Sequence, residues 1–140
     1  MELLRDSVDS GASIGFLAPL PAQDGREFCA PCAASLRPAA CCWARTWMES
    51  SSARHRAEVQ KLLVLQAFRG RGIAKALMAA LERKAAELGR WLLVLDTVPR
   101  QPAEKLYEHL GYIRAGVVPD YAESSSGAFD PTVIFYKRLA

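Results

Sequence analysis

The residues with the sharpest chemical meaning are Arg69-Gly70-Arg71-Gly72-Ile73-Ala74, set between an apolar run and an amphipathic segment. At a helix start the first backbone N–H groups have no intrahelical acceptor, and the helix dipole adds partial positive charge. A turn of this kind can hold a pyrophosphate. Glycines at 70 and 72 let backbone approach phosphate oxygens, and Arg69 and Arg71 offer charge-assisted contacts. The alternative is a plain glycine-rich connection from strand to helix. Other phosphate loops fail on residue type. A P-loop needs Gly-Lys-Ser/Thr where Gly72 is followed by Ile73-Ala74, and Lys75 stands where the third glycine of G-x-G-x-x-G belongs.

A set of proton-handling groups accompanies the turn. Glu58 opens one apolar run and Asp96 closes the next, so the two carboxylates would flank one cleft if those strands are parallel neighbours. Carboxylates are natural acceptors for an amine proton, directly or through water; solvated surface acids are the plainer reading. Tyr107 falls on the apolar face of a later helix, as a core ring or as a proton donor. His55 and His109 have no partner motif and read as surface groups. Cys29, Cys32, Cys41 and Cys42 lack the spacing and the following His of a zinc site, so no metal is expected. A disulfide framework does not suit a chain without an export signal.

These groups need a frame, and periodicity supplies one after residue 54. Glu58 to Leu65 ends in Leu62-Leu63-Val64-Leu65, a buried-strand run. The loop 66–72 leads to a helix from Ile73 with Leu77, Leu81 and Leu88 near helical spacing, closed by Gly89. Trp91 to Leu95 is a second buried strand. Pro102 suits the first turn of a helix holding Ala103, Leu106, Tyr107 and Leu110, stopped by Gly111. Tyr112 to Val118 and Thr132 to Lys137 are strands, giving the order β-α-β-α-β-β of an α/β domain.

The 140 residues, 51% hydrophobic and 24% charged, fit one domain. Residues 1–20 hold a partial helix region with Leu3, Leu4 and Val8 on one face, 21–53 show no sustained period, and 54–140 carry the motifs. A net charge of +3 is too small to imply nucleic acid. No apolar run reaches the ~18 to 20 residues that cross a bilayer, and the first residues lack a basic leader, so no membrane and a cytoplasmic location are expected.

Two motifs in order identify a resemblance to the GNAT superfamily of acyl-CoA N-acetyltransferases. Its signature Arg/Gln-x-x-Gly-x-Gly/Ala is matched by Arg69, Gly72 and Ala74, and its Leu-Tyr-Glu-x-x-Gly-Tyr/Phe ending by Leu106-Tyr107-Glu108-His109-Leu110-Gly111-Tyr112 after Ala103. Ser10 to Leu17, Leu95-Asp96-Thr97, Val118-Pro119-Asp120-Tyr121 and Phe135 to Leu139 are similar to the branch that includes tabtoxin-resistance-type acetyltransferases. The resemblance implies a mixed sheet flanked by helices, with acetyl-CoA as co-substrate. The strand backbone at Leu63, Val64 and Leu65 would pair with the pantetheine arm, and the amides of Arg69, Gly70, Arg71, Gly72, Ile73 and Ala74 would take the pyrophosphate. It implies that Tyr107 protonates the departing thiolate, and that Glu58 and Asp96 line the substrate site. The expected activity is acetyl transfer to the primary amine of a small molecule; a homodimer is compatible with it.

The resemblance departs from the family in the N-terminal half. On the resemblance, Met1 falls where the first helix belongs, so the opening strand is expected to be missing, and the composition of Arg26 to Ser52 resembles a GC-rich gene read in a wrong frame. N-terminal strands are therefore expected to be missing or degraded. Arg100 replaces the asparagine often found before the second motif. The second reading is a catalytically inactive CoA-binding remnant or interaction module.

Overall fold

In the computed structural model the described residues are 34–36, 40–45, 54–124 and 127–140; the helix expected near the N-terminus, the Ser10 to Leu17 similarity, Cys29 and Cys32 lie outside them. The elements are β1 (Ala34–Leu36), β2 (Ala40–Arg45), β3 (Arg56–Val64), α1 (Ile73–Glu87), β4 (Leu92–Thr97), α2 (Pro102–His109), β5 (Ile113–Glu123) and β6 (Phe129–Arg138). They form a six-stranded sheet in the order β1-β2-β3-β4-β6-β5. β3 and β4 are parallel, and every other neighbouring pair is antiparallel. The expected α/β mixed sheet with flanking helices is what forms. Within 21–53, where no period was legible, β1 and β2 pair with each other and with β3. Ladder bonds are made by backbone, so a strand can be recruited by its neighbour without an alternating pattern of its own.

The core lies between the sheet and the helices. Met78, Leu93, Leu95, Val133 and Phe135 are its most enclosed large side chains. α1 buries Leu77, Met78, Leu81 and Ala85, one stripe at helical spacing, and lies against β1, β2 and β3. Leu88, expected on that stripe, is 56% exposed. The helix has ended by then. Gly89 turns to φ 70°, its N–H bonds Ala86 O at 2.9 Å, and Arg90 N–H bonds Ala85 O at 2.8 Å. α2 ends in the same way, with Gly111 N–H on Glu108 O and Tyr112 N–H on Tyr107 O at 2.9 Å. Gly111 at φ 82° needs a residue without Cβ, which accounts physically for the glycine of Leu106 to Tyr112.

Lys137 ties three elements. Its ammonium donates to Glu82 Oε2 on α1 at 2.8 Å and to the Leu110 carbonyl after α2 at 2.7 Å, and it rests 5.4 Å from the Tyr112 ring centroid. No helix among the described residues is long and apolar enough to cross a membrane.

Two irregularities shape the functional end of the sheet. β3 carries one extra residue between its pairings Trp43↔Gln60 and Cys41↔Leu63. Side chains alternate with period two, so an inserted residue swaps the faces. Leu62 and Val64 accordingly join the core cluster of Ala57 and Val59, while Leu63 and Leu65 are buried outside it. The second irregularity is in β5, where Val118↔Thr132 is followed by Ala122↔Asp130, four residues opposite two. Asp120 takes φ 51° in this bulge.

Candidate active site

The parallel ladder has only four rungs. Arg56 to Val59 pair with Leu92 to Leu95, after which the two strands part company. Gln60, Leu63 and Val64 pair with β2, while Asp96 and Thr97 pair with Ile134 and Val133 of β6. The sheet therefore opens between the two strands, and the β4-facing backbone of residues 60–64 is left outside that ladder. A cleft of about 830 Å³ occupies the opening, in the size range of small-ligand sites.

One end of the cleft is the strand-to-helix turn. Gly70 and Gly72 both have φ 75°, a conformation costly for any residue with a Cβ. Gly72 is the N-cap of α1 and supplies no side-chain cap, and the first turn contains no acid. The first closing bond is Ala76 N–H to Gly72 O at 3.0 Å, so the amides of Ile73, Ala74 and Lys75 have no intrahelical acceptor. A fifteen-residue helix thus presents its positive end to the cleft, with no acid in its own first turn and no side-chain cap. Gly70, Gly72, Ile73, Ala74 and Lys75 line this end, with Leu63 and Val64 leading into it.

Two expected cofactor residues do not line the cleft. Leu65, the residue after β3, is buried outside the core cluster. Arg71 is exposed, its guanidinium 5.3 Å from the Phe68 ring centroid. Arg69 does line the cleft, yet its Nε donates to the Val64 carbonyl at 3.0 Å, bracing the turn against the end of β3.

The other end is acidic and phenolic. Glu58 from β3 and Asp96 from β4 both line it. Asp96 is held by Thr132, whose buried hydroxyl donates to Asp96 Oδ2 at 2.8 Å and lies 3.1 Å from the Thr97 carbonyl. Tyr121 is carried to the same wall by the β5 bulge and remains 54% exposed. The Asp96 carboxylate, burial and the Glu58 carboxylate, in that order of size, raise its phenol above the ordinary value. Asp130, two residues before Thr132 on β6, also lines the cleft.

Tyr107 lines the cleft from α2. It is also a core ring, 6% exposed, with centroids 5.9 Å from Tyr112 and Phe135. Before α2, Arg100 takes φ 64° and its N–H meets the Glu104 carboxylate. Asparagine tolerates that left-handed conformation better than arginine. Of the histidines, His109 is exposed and bonded to the Lys105 carbonyl, and His55 stacks on Trp91 at 4.8 Å; neither lines the cleft.

Sequence reasoning missed Tyr121, Thr132 and Asp130 as site residues. Thr132 and Asp130 become visible only through the β4–β6 register. Tyr121 had two signals, its place in the Val118 to Tyr121 similarity and the Pro119-Asp120 pair inside a strand pattern, which marks a bulge or an edge.

Comparison with known proteins gives a consistent result. The profile of the Acetyltransferase (GNAT) family matches residues 7–112. The uncharacterized N-acetyltransferase YjgM of Escherichia coli (strain K12) is 36% identical over 83 residues, which is 59% of this chain and 47% of that protein. The chain thus spans about half the length of this curated relative. Among solved structures, ribosomal-protein-alanine N-acetyltransferase from Brucella melitensis superposes with a TM-score of 0.80 at 17% identity, covering 98% of this chain and 90% of that one. A GCN5-related N-acetyltransferase from Kribbella flavida gives 0.76 at 19%, covering 98% and 88%. The protein yncA of Salmonella typhimurium, solved with its cofactor acetyl-CoA, gives 0.65 at 18%, covering 73% and 58%. At these identities the solved structures speak for the fold.

Proposed function

The chain belongs to the acetyltransferase (GNAT) family, and from that premise we propose that it transfers an acetyl group from acetyl-CoA to the primary amine of a small molecule. The carrying observation is the opening of β3 from β4 onto an uncapped helix N-terminus. This arrangement suits a long ligand that is amide-bearing along its middle and phosphorylated at one end. The amides from Gly72 to Lys75 receive pyrophosphate oxygens, where a Cβ at Gly72 would meet no other protein atom within 4 Å and the space is left to a ligand. The cleft-facing edge of residues 60–64 pairs with the pantetheine amides, as one more strand would.

Bound acetyl-CoA supplies the activated acetyl thioester and leaves as the thiol. The remaining chemistry belongs to this chain. Glu58 and Asp96 take the proton lost by the attacking amine, directly or through water, as a C–N bond forms and the C–S bond breaks. Thr132 fixes the Asp96 carboxylate for that task. Tyr107, which lines the cleft from α2, donates the phenolic proton that converts the leaving thiolate to thiol. The similarity of Leu95-Asp96-Thr97 and Val118 to Tyr121 to the tabtoxin-resistance-type branch supports a small acceptor.

Calorimetric titration with acetyl-CoA, followed by a screen of primary amines read by free-thiol release, tests this reading. Absence of acetyl-CoA binding refutes it. Binding without transfer to any amine would leave a CoA-binding module in its place.

A further inference from the structure

The charges along the cleft are sorted. Its lining cations among the described residues, Arg69 and Lys75, both belong to the strand-to-helix turn. The opposite end presents three carboxylates, Glu58, Asp96 and Asp130, from three successive strands of the sheet, and no lysine or arginine of the described residues lines it. The separation follows from register. Glu58 lies opposite Val94, so Asp96 is one strand over and two residues farther along, about 8 Å away backbone to backbone. Tyr121 faces the same space, and its ring and hydroxyl oxygen both attract an ammonium.

Resting on the acyl-transfer reading above, we propose that the acceptor is a small aliphatic diamine, one nitrogen of which is acetylated while the other stays protonated on the Glu58–Asp96–Tyr121 wall. One carboxylate accepts the proton of the reacting nitrogen, and the second remains paired with the remote ammonium. A chain of roughly four or five methylenes spans about that backbone separation. The product is a mono-N-acetyl diamine with one positive charge fewer, and a single ammonium no longer engages both carboxylates. An α- or ω-amino acid would bring its carboxylate to this wall, and like charges in a partly enclosed cleft repel. The raised phenol of Tyr121 is consistent with this: the wall is already negative enough to resist one more anion.

The test uses the full chain loaded with coenzyme A, which cannot react, and three five-carbon ligands: 1,5-diaminopentane, n-pentylamine and 5-aminopentanoate. In calorimetry the diamine is expected to bind at least about tenfold tighter than the monoamine, with the amino acid weakest. Binding of 5-aminopentanoate as tight as that of the diamine, or no measurable binding of the diamine, overturns the proposal. The isosteric double variant Glu58→Gln/Asp96→Asn should bring the diamine to within about twofold of pentylamine. A preference that survives both substitutions removes these carboxylates from recognition and the proposal with them. Transfer is read separately, as thiol release from acetyl-CoA with the diamine. Selective binding without transfer leaves the specificity standing and refutes the proposed activity; transfer to the monoamine and amino acid as efficient as to the diamine does the reverse.

Discussion

Replacing Gly72 by aspartate separates the two things this residue does, holding a left-handed turn and leaving the helix end positive. At φ 75° a Cβ costs about 1 kcal/mol in conformational energy. No atom of the described residues lies within 4 Å of that Cβ, so they add no packing penalty. Aspartate at an N-cap returns roughly 0.5 to 1 kcal/mol by accepting amide hydrogen bonds and complementing the dipole. The folded state of Gly72→Asp should therefore be nearly as stable as the parent, with a melting temperature within about 4 °C. Binding behaves differently. The new carboxylate occupies the amides that would receive phosphate and places a negative charge about 5 Å from it, worth about 1 to 3 kcal/mol at effective dielectrics between water and a protein surface. Affinity for acetyl-CoA should fall by roughly 5- to 150-fold. Gly72→Ala carries the same backbone cost without charge or cap, so it should melt lower than the aspartate variant and bind better. Calorimetry with acetyl-CoA and a thermal melt on the three proteins suffice. An aspartate variant that keeps its affinity within twofold would refute the placement of phosphate on this turn, and one that loses its fold would refute the additive reasoning.

Tyr107→Phe keeps the ring packed against Tyr112 and Phe135 and removes only the donor, so turnover should fall by about 10²-fold or more with acetyl-CoA affinity unchanged; steady-state kinetics beside calorimetry decide it, and full turnover would remove Tyr107 from the mechanism. Thr132→Val preserves shape and deletes the bond to Asp96, which should lower kcat/KM by about tenfold through misplacement of the carboxylate, again without effect on acetyl-CoA binding. The Tyr121 phenol should ionise above an ordinary tyrosine when followed by phenolate absorbance, and Asp96→Asn should move it back toward the usual range, since Asp96 is the largest cause of the shift. The sign for stability follows from the raised value: the contribution is complete below the unfolded phenol's range near pH 10 and is lost as pH rises through the folded value. A titration of Tyr121 indifferent to Asp96 would place the two groups apart.

What could be read from the sequence was whatever is local in the chain. The β3 run, the turn at 69–74 and both helices with their glycine stops depend on neighbours within a few residues, and the structure has each of them. Parallel pairing of β3 with β4, needed to bring Glu58 and Asp96 to one cleft, was only a condition in the sequence and is met in the fold. The losses came where register decides. One inserted residue in β3 brings Leu62 and Val64 to the side of the core cluster, and period two turns any such insertion into a swap of faces. The Thr132 to Asp96 contact spans 36 residues and has no pattern of its own. β1 and β2 show that a strand recruited by its neighbour leaves no periodic trace either.

The order in which the chain supplies the cleft has an evolutionary consequence. The cofactor end is made by one contiguous stretch, β3 through the first turn of α1, folded as the first part of a strand-helix-strand crossover. The acceptor wall, apart from Glu58, is assembled later in the chain from β4, the bulged β5 and β6. Mutations that lengthen or shorten the β5 bulge can therefore re-aim Tyr121 and exchange one acceptor for another without moving an amide of the phosphate-holding turn. If the turn holds the donor and the wall holds the acceptor, as proposed, such a protein can drift in what it modifies while the donor side stays under constant selection, the two stretches being joined among the described residues by the four rungs between β3 and β4.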